Sequence, residues 1–235
     1  VVAPSMHMSG MGHAITLSQP LRLRKTNTMN GLEAYACSGT PADCIKIAKR
    51  VVLKSRMPDL IVSGVNHGSN SSISVVYSGT MAAAIEGAIE GIPSIGFSLC
   101  DYAPDPYFDH AIPYIQKITE EVLNKGIPKH IALNVNIPAY SKENDLRGIK
   151  ICRQTKARWQ ETFEERKDPG GESYYWISGY YVGLDEGEDH DEFAIRNNYV
   201  SVVPVSPDMS SLNTVEALNN TFDFSEFLNG TSQKG

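Results

Sequence analysis

The stretch Pro58-Asp59-Leu60-Ile61-Val62-Ser63-Gly64-Val65-Asn66-His67-Gly68, completed by Tyr77-Ser78-Gly79-Thr80-Met81-Ala82-Ala83-Ala84-Ile85-Glu86, decides the fold. Pro58 ends the unit before it, and Leu60-Ile61-Val62 predicts a short strand buried on both faces. Residues 63–79 are rich in Gly, Ser and Asn and predict a loop. That loop is long for a compact α/β unit, and long ordered loops are often functional. Thr80 is the expected cap of the helix that follows, because a Thr side chain can accept from the first-turn N–H groups.

The same alternation extends in both directions. Upstream, Leu21 and Leu23 alternate with Arg22 and Arg24, as in a half-exposed strand. Thr40 and Pro41 then suit the N-cap and first position of a helix. Its inner face carries Cys44, Ile47, Ala48, Val51 and Val52, with Lys46, Lys49 and Arg50 turned outward. Downstream come a strand at 94–99, a helix near 108–125 and a strand at 131–137. Repeated strand–helix–strand units predict an α/β fold, a Rossmann-like and mainly parallel sheet with helices on both faces. The pattern changes near Lys142. Strands are expected at 149–151, 174–177 and 199–203 with no strong helix between them, so residues 1–141 read as the core and 142–235 as a β-rich extension with a C-terminal oligomerisation segment. Asp168-Pro169-Gly170-Gly171 marks a turn, Asp185 to Glu192 a solvated hairpin, 214–218 a short helix, and the last residues a frayed tail.

Composition limits the function. Lys and Arg number 21 against 27 Asp and Glu, a net charge of −6, which argues against binding a nucleic-acid duplex. No run approaches eighteen apolar residues, so no membrane span is expected. Cys37, Cys44, Cys100 and Cys152 form no Cys-x-x-Cys pair, which suits reduced thiols in the cytoplasm.

In parallel α/β sheets ligands bind beyond the carboxyl ends of the strands. Three polar segments, at 5–12, 63–70 and 77–80, occupy such places. The Ser9 hydroxyl, beside Gly10, could ligate a hard cation or hold a phosphate oxygen; a plain turn is the alternative. The Asn66 amide oxygen suits Mg²⁺, Mn²⁺ or Ca²⁺, or serves an Asx turn. Ser78-Gly79-Thr80 opens a helix whose N–H groups could hold an anion, or is a simple cap. His67 could donate a proton to a leaving alcohol. Met6, His7, Met8, Met11 and His13 form a compact cluster that would suit Cu(I), or else Met side chains covering a pocket.

These motifs occur in a telling order. Val2-Ala3-Pro4, Ser9-Gly10, Ser38 to Cys44, Pro58 to Gly68, Tyr77 to Ala84 with Glu86-Gly87, Asn134 to Pro138, and Tyr199 to Pro204 together resemble the SurE family, in its Bacteroidetes-type form. The resemblance runs to about residue 210. It implies a metal-dependent hydrolase of nucleoside 5′-monophosphates, and of 3′-monophosphates, using one divalent cation per subunit, Mg²⁺ or Mn²⁺. It also implies an extended β-hairpin and a homodimer or homotetramer exchanging C-terminal segments. Ser9 and Asn66 match the family's Ser and Asn ligands; Ser9, Asn66 and His67 form the expected catalytic group. Gly10, Asn70, Ser78, Gly79 and Thr80 are the expected substrate contacts. The family's other two ligands, an Asp pair, are expected upstream of Val1, in a segment these residues do not contain. Val1 to Pro4 reads as the end of a buried strand, so the chain by itself is expected to bind metal weakly and show little activity. The alternative is a catalytically degenerate nucleotide-binding homologue.

Overall fold

The computed structural model describes residues 1–26, 31–54, 56–141, 145–183 and 185–224. The change of pattern at Lys142 and the tail from residue 225 lie outside them. A three-stranded sheet joins β1 (Val2–Pro4), β3 (Ala34–Cys37) and β2 (Leu23–Thr26), with β1 and β3 parallel. A five-stranded sheet has the order β4 (Ile61–His67), β5 (Ser94–Cys100), β6 (Ala132–Pro138), β10 (Tyr199–Val205), β7 (Gly148–Ile151). Within it β4, β5 and β6 are parallel, β10 runs against β6, and β7 is parallel to β10. The strands after position 142 therefore divide: β7 and β10 widen the main sheet, while β8 (Arg158–Lys167) and β9 (Ser173–Val182) leave it as a long hairpin. Its turn is closed by the Asp168 carboxylate, which accepts the Glu172 N–H at 2.9 Å.

Helices cover both faces of the main sheet, and the period of two along β5 shows why. Ile95, Phe97 and Leu99 point to one face and pack with Ile118 and Val122 of α4 (Ile112–Lys125). The intervening Gly96 lies against α3 (Gly79–Ile89): a Cβ there would sit 2.5 Å from Met81 Sδ. A small residue on that face lets α3 lie close, and it carries Met81, Ala84 and Ala88 into a second core with Ala132.

Helix α1 (Pro41–Ile47) starts where expected. Thr40 Oγ1 accepts the Asp43 N–H at 3.1 Å and Asp43 Oδ2 accepts the Thr40 N–H at 2.9 Å, a reciprocal capping box. The helix runs on into a wider π-helical turn at Ala48–Val52. Its lysines do not simply face water: Lys46 Nζ reaches Glu86 Oε1 at 2.5 Å, and Lys49 pairs with Glu90.

Several expectations need correction. The loop expected from residue 63 starts only after His67, where β4 ends, and Val51, expected on the inner face of its helix, is 54% exposed. Leu60-Ile61-Val62 is not buried on both faces, since Val62 is 50% exposed; β4 is the edge of its sheet and α3 covers one side of it. The cap of α3 is Ser78, not Thr80: Ser78 Oγ accepts the Met81 N–H at 3.0 Å, while Thr80 Oγ1 is turned toward Asn66. A helix, α5 (Asp191–Arg196), lies between the late strands. The acidic run is not a solvated hairpin either. Asp185 and Asp189 fold onto Arg153, whose hydrogen bonds hold both carboxyls below the usual range, and Asp191 and Glu192 are buried. Helix α2 is a single turn at Ser74–Tyr77, and α6 (Leu212–Thr221) is exposed throughout, embracing the short helix expected at 214–218.

Candidate functional site

A cleft of about 430 Å³ opens where the carboxyl ends of β1 and β4 meet the start of α3. All eight residues expected at the site line it: Ser9, Gly10, Asn66, His67, Asn70, Ser78, Gly79 and Thr80. Local geometry explains how each arrives. Between Ser63 and Asn66, β4 holds one residue more than β5 across from it, so the register shifts. Gly64 sits at that bulge with φ +109°, and a Cβ there would lie 2.3 Å from Phe97 O. No other residue fits both the dihedral and the space. The bulge brings Asn66 to the floor of the cleft. Its Nδ2 donates to Gly68 O at 2.8 Å, which fixes the amide's orientation and turns Oδ1 toward the Thr80 hydroxyl, 3.4 Å away.

The loop after β1 crosses to the start of α3, where Gly12 N–H donates to Tyr77 O at 3.0 Å. Close contact needs Gly79: a Cβ there would come 2.9 Å from Pro41 Cγ and 3.3 Å from Met8 O. The loop leaves Ser9 and Gly10 exposed on the rim, and the Ser9 hydroxyl has no hydrogen-bond partner among the described residues. The first N–H groups of a helix have no intrahelical acceptor. Ser78 Oγ takes that of Met81, so those of Gly79 and Thr80 are left for a ligand in the cleft, where the helix dipole favours negative charge. His67 ends β4 exposed, its ring without a hydrogen-bond partner among the described residues.

Asn70 lines the cleft but also serves as a pin. Its Nδ2 donates to Ser98 Oγ at 2.7 Å, its N–H donates to Asn136 Oδ1 at 2.8 Å, and its carbonyl accepts from Asn134 Nδ2 at 2.8 Å. The next residues are tied to α5. Ser72 N–H donates to Asp191 Oδ2 at 2.8 Å, and Ser71 Oγ donates to Glu192. Asp191 Oδ1 also accepts from the N–H groups of Thr155 at 3.0 Å and Glu192 at 2.9 Å. Sequence reasoning missed this support, and its one visible signal was the Asn-Val-Asn repeat at 134–136. It also missed Tyr102, which lines the cleft together with Tyr77 of the expected 77–80 segment.

The Met/His cluster is divided. Met6, His7 and Met8 line the cleft, whereas His13 Nε2 lies 2.9 Å from Glu86 Oε2. Among the described residues no three His, Cys, Asp or Glu side chains converge as a metal-binding group. Burial pushes the Cys100 thiol, at the end of β5, up to about 12, so it is a protonated and unreactive thiol. The chemistry within reach is oxygen ligation, anion binding by backbone N–H groups and proton transfer at His67.

Comparison with known proteins gives the family. Residues 1–161 match the family model of Survival protein SurE. The 5′-nucleotidase SurE of Cytophaga hutchinsonii is 56% identical over 224 residues, 95% of this chain and 86% of that protein. That of Flavobacterium psychrophilum is 57% identical over 221 residues, 94% of this chain and 85% of its own length. The crystal structure of the SurE protein from Aquifex aeolicus superposes with a TM-score of 0.77 at 37% identity, covering 94% of this chain and 88% of that one. With a family model spanning more than half its length and relatives above 50% identity along nearly all of it, the chain belongs to the SurE family.

Proposed function

We propose that this protein is a divalent-metal-dependent phosphomonoesterase that releases phosphate from nucleoside 5′-monophosphates, and from 3′-monophosphates as well. One observation carries the reading: Ser9, Asn66 and the opening N–H groups of α3 share one cleft, in a chain whose relatives are named 5′-nucleotidases. Ser9 Oγ and the oriented Asn66 Oδ1 are neutral hard oxygens, the donor type that Mg²⁺ or Mn²⁺ prefers. They fit part of such a site and would hold the ion from one side. When bound, the ion would polarise the phosphoryl oxygens and supply an activated water. The N–H groups of Gly79 and Thr80 bind the phosphate and stabilise the charge it gains in the transition state. His67 protonates the departing alcohol. Gly10 shapes the rim, and Asn70 keeps the Ser69–Ser72 segment in place.

Several features support the rest of the reading. Four unpaired thiols are consistent with a cytoplasmic location. Among the described residues no helix is long and apolar enough to cross a membrane. The projecting hairpin exposes Phe163, Trp176 and Ile177, and α6 exposes Leu212 at 75%; such surfaces favour a homodimer or homotetramer. The alternative is a nucleotide-binding protein without turnover. Phosphate release separates the two. The natural full-length protein, stripped of metal with chelator, should be inactive on adenosine 5′-monophosphate and regain turnover with Mg²⁺ or Mn²⁺. Nucleotide binding without release under any divalent ion would favour the second reading.

A further inference from the structure

The polar floor of the cleft accounts for a phosphate and its cation, and leaves the rest of a nucleotide without a partner. We infer that Tyr102 is the platform on which the substrate's base stacks, and hence a residue that sets preference for nucleotides over simpler phosphate esters. The inference rests on the nucleotidase reading of the cleft.

Tyr102 stands two residues beyond β5, at the same carboxyl-end edge of the sheet as Asn66 and His67. Its hydroxyl accepts the Ser69 N–H at 3.1 Å, and its ring lies against Gly68, where an added Cβ would come 3.1 Å from Cε1. Both ends of the side chain are thus held. Yet the residue is 74% exposed, although it lines the cleft. A large ring left open to water but fixed in orientation loses little freedom when a ligand covers it. Every nucleobase has a π-face, so stacking on such a ring tolerates any base. Tyr77 also lines the cleft, but its hydroxyl makes no hydrogen bond to another described residue, so it is the less fixed of the two rings. Gly68 has φ +108°, which favours glycine on backbone grounds, and the absence of a Cβ also lets the Tyr102 ring lie close against it.

The test compares adenosine 5′-monophosphate with ribose 5-phosphate, the same sugar phosphate without a base, in wild type, Tyr102→Leu and Tyr102→Phe. Tyr102→Leu should lower kcat/KM for the nucleotide about tenfold or more while leaving ribose 5-phosphate within about twofold. Tyr102→Phe keeps the ring and should keep the wild-type ratio of the two substrates. Equal loss on both substrates in Tyr102→Leu would overturn the inference, because the ring would then only be supporting the 68–69 backbone. No loss on either would overturn it as well. Wild-type protein that hydrolyses neither ester would instead refute the nucleotidase reading. Calorimetric binding of adenosine 5′-monophosphate would then decide the role of the ring: weaker binding in Tyr102→Leu supports it, and equal binding overturns it.

Discussion

Asp191→Ala should destabilise the protein severely, although Asp191 does not line the cleft. The side chain is fully buried, and its carboxylate accepts from the N–H groups of Ser72, Thr155 and Glu192 and from the Thr155 hydroxyl at 2.5 Å. Truncation leaves the buried Ser72 and Thr155 N–H groups without an acceptor, leaves the Glu192 N–H only the Thr155 hydroxyl at 3.3 Å, and removes that hydroxyl's carboxylate partner. At 1–3 kcal/mol for each unsatisfied group, reduced by relaxation and shared partners, the expected loss is about 3–5 kcal/mol. Asp191→Asn is the graded control. It can keep the Oδ1 acceptor for Thr155 and Glu192 and turn an NH₂ group toward the Ser72 N–H, so the expected loss is about 1–3 kcal/mol. Because Ser72 ends the segment that carries Asn70, Asp191→Asn should also lower turnover more than its stability loss alone explains. Urea unfolding followed by far-ultraviolet circular dichroism is the right assay, since Trp159 and Trp176 both sit on the projecting hairpin and report poorly on the core. A loss under about 1 kcal/mol for Asp191→Ala would refute the argument, because it would mean that these donors find other partners.

Three further outcomes are expected. Gly64→Ala places a methyl 2.3 Å from Phe97 O at φ +109°, so unfolding should become easier by about 3 kcal/mol or more, and activity should fall through misplacement of Asn66; denaturant midpoints check the first and turnover of the folded fraction the second. Ser78→Ala removes the cap of α3 and should cost about 1 kcal/mol of stability, with a rise in KM for the phosphate ester, measured by melting and steady-state kinetics. Burial raises the Asp43 pKa, but hydrogen bonds from Thr16 and Thr40 outweigh it and hold the carboxyl below the ordinary aspartate range. Its contribution is therefore complete above the unfolded-state value and lost as pH falls through the lower folded value, so acid should destabilise the wild type below about pH 4, and Asp43→Asn should flatten that part of the stability–pH curve.

The parts of the fold that depend on neighbours in sequence were legible. Thr40 and Pro41 read as the N-cap and first position of a helix, and they begin α1; the reciprocal bond from Asp43 three residues on, which completes the capping box, came only with the structure. The gathering of Ser9, Asn66 and Ser78 followed from a rule about strand ends that needs only the order of strands and helices. What was hidden depends on distant pairing. Asp191 and Glu192 sit in a charged run, and charged residues are seldom buried unless paired; their partners at Ser71, Ser72 and Thr155 are separated from them by dozens of residues. The cap of α3 was ambiguous for a similar reason. Ser78 and Thr80 are both good caps, and the choice falls to Ser78 because tertiary packing turns Thr80 toward Asn66. Tyr102 had no local signal, since its meaning comes from the Ser69 and Gly68 backbone that it meets across the cleft rim.

The central claim is that Asn66 works as a ligand in phosphate-ester hydrolysis and not as an Asx turn alone. The most direct measurement is phosphate release from adenosine 5′-monophosphate by Asn66→Ala under saturating Mg²⁺ or Mn²⁺, with a melting curve beside it. The account predicts a folded protein, melting within a few degrees of wild type, whose kcat falls at least about a hundredfold. Wild-type turnover in that variant would contradict it.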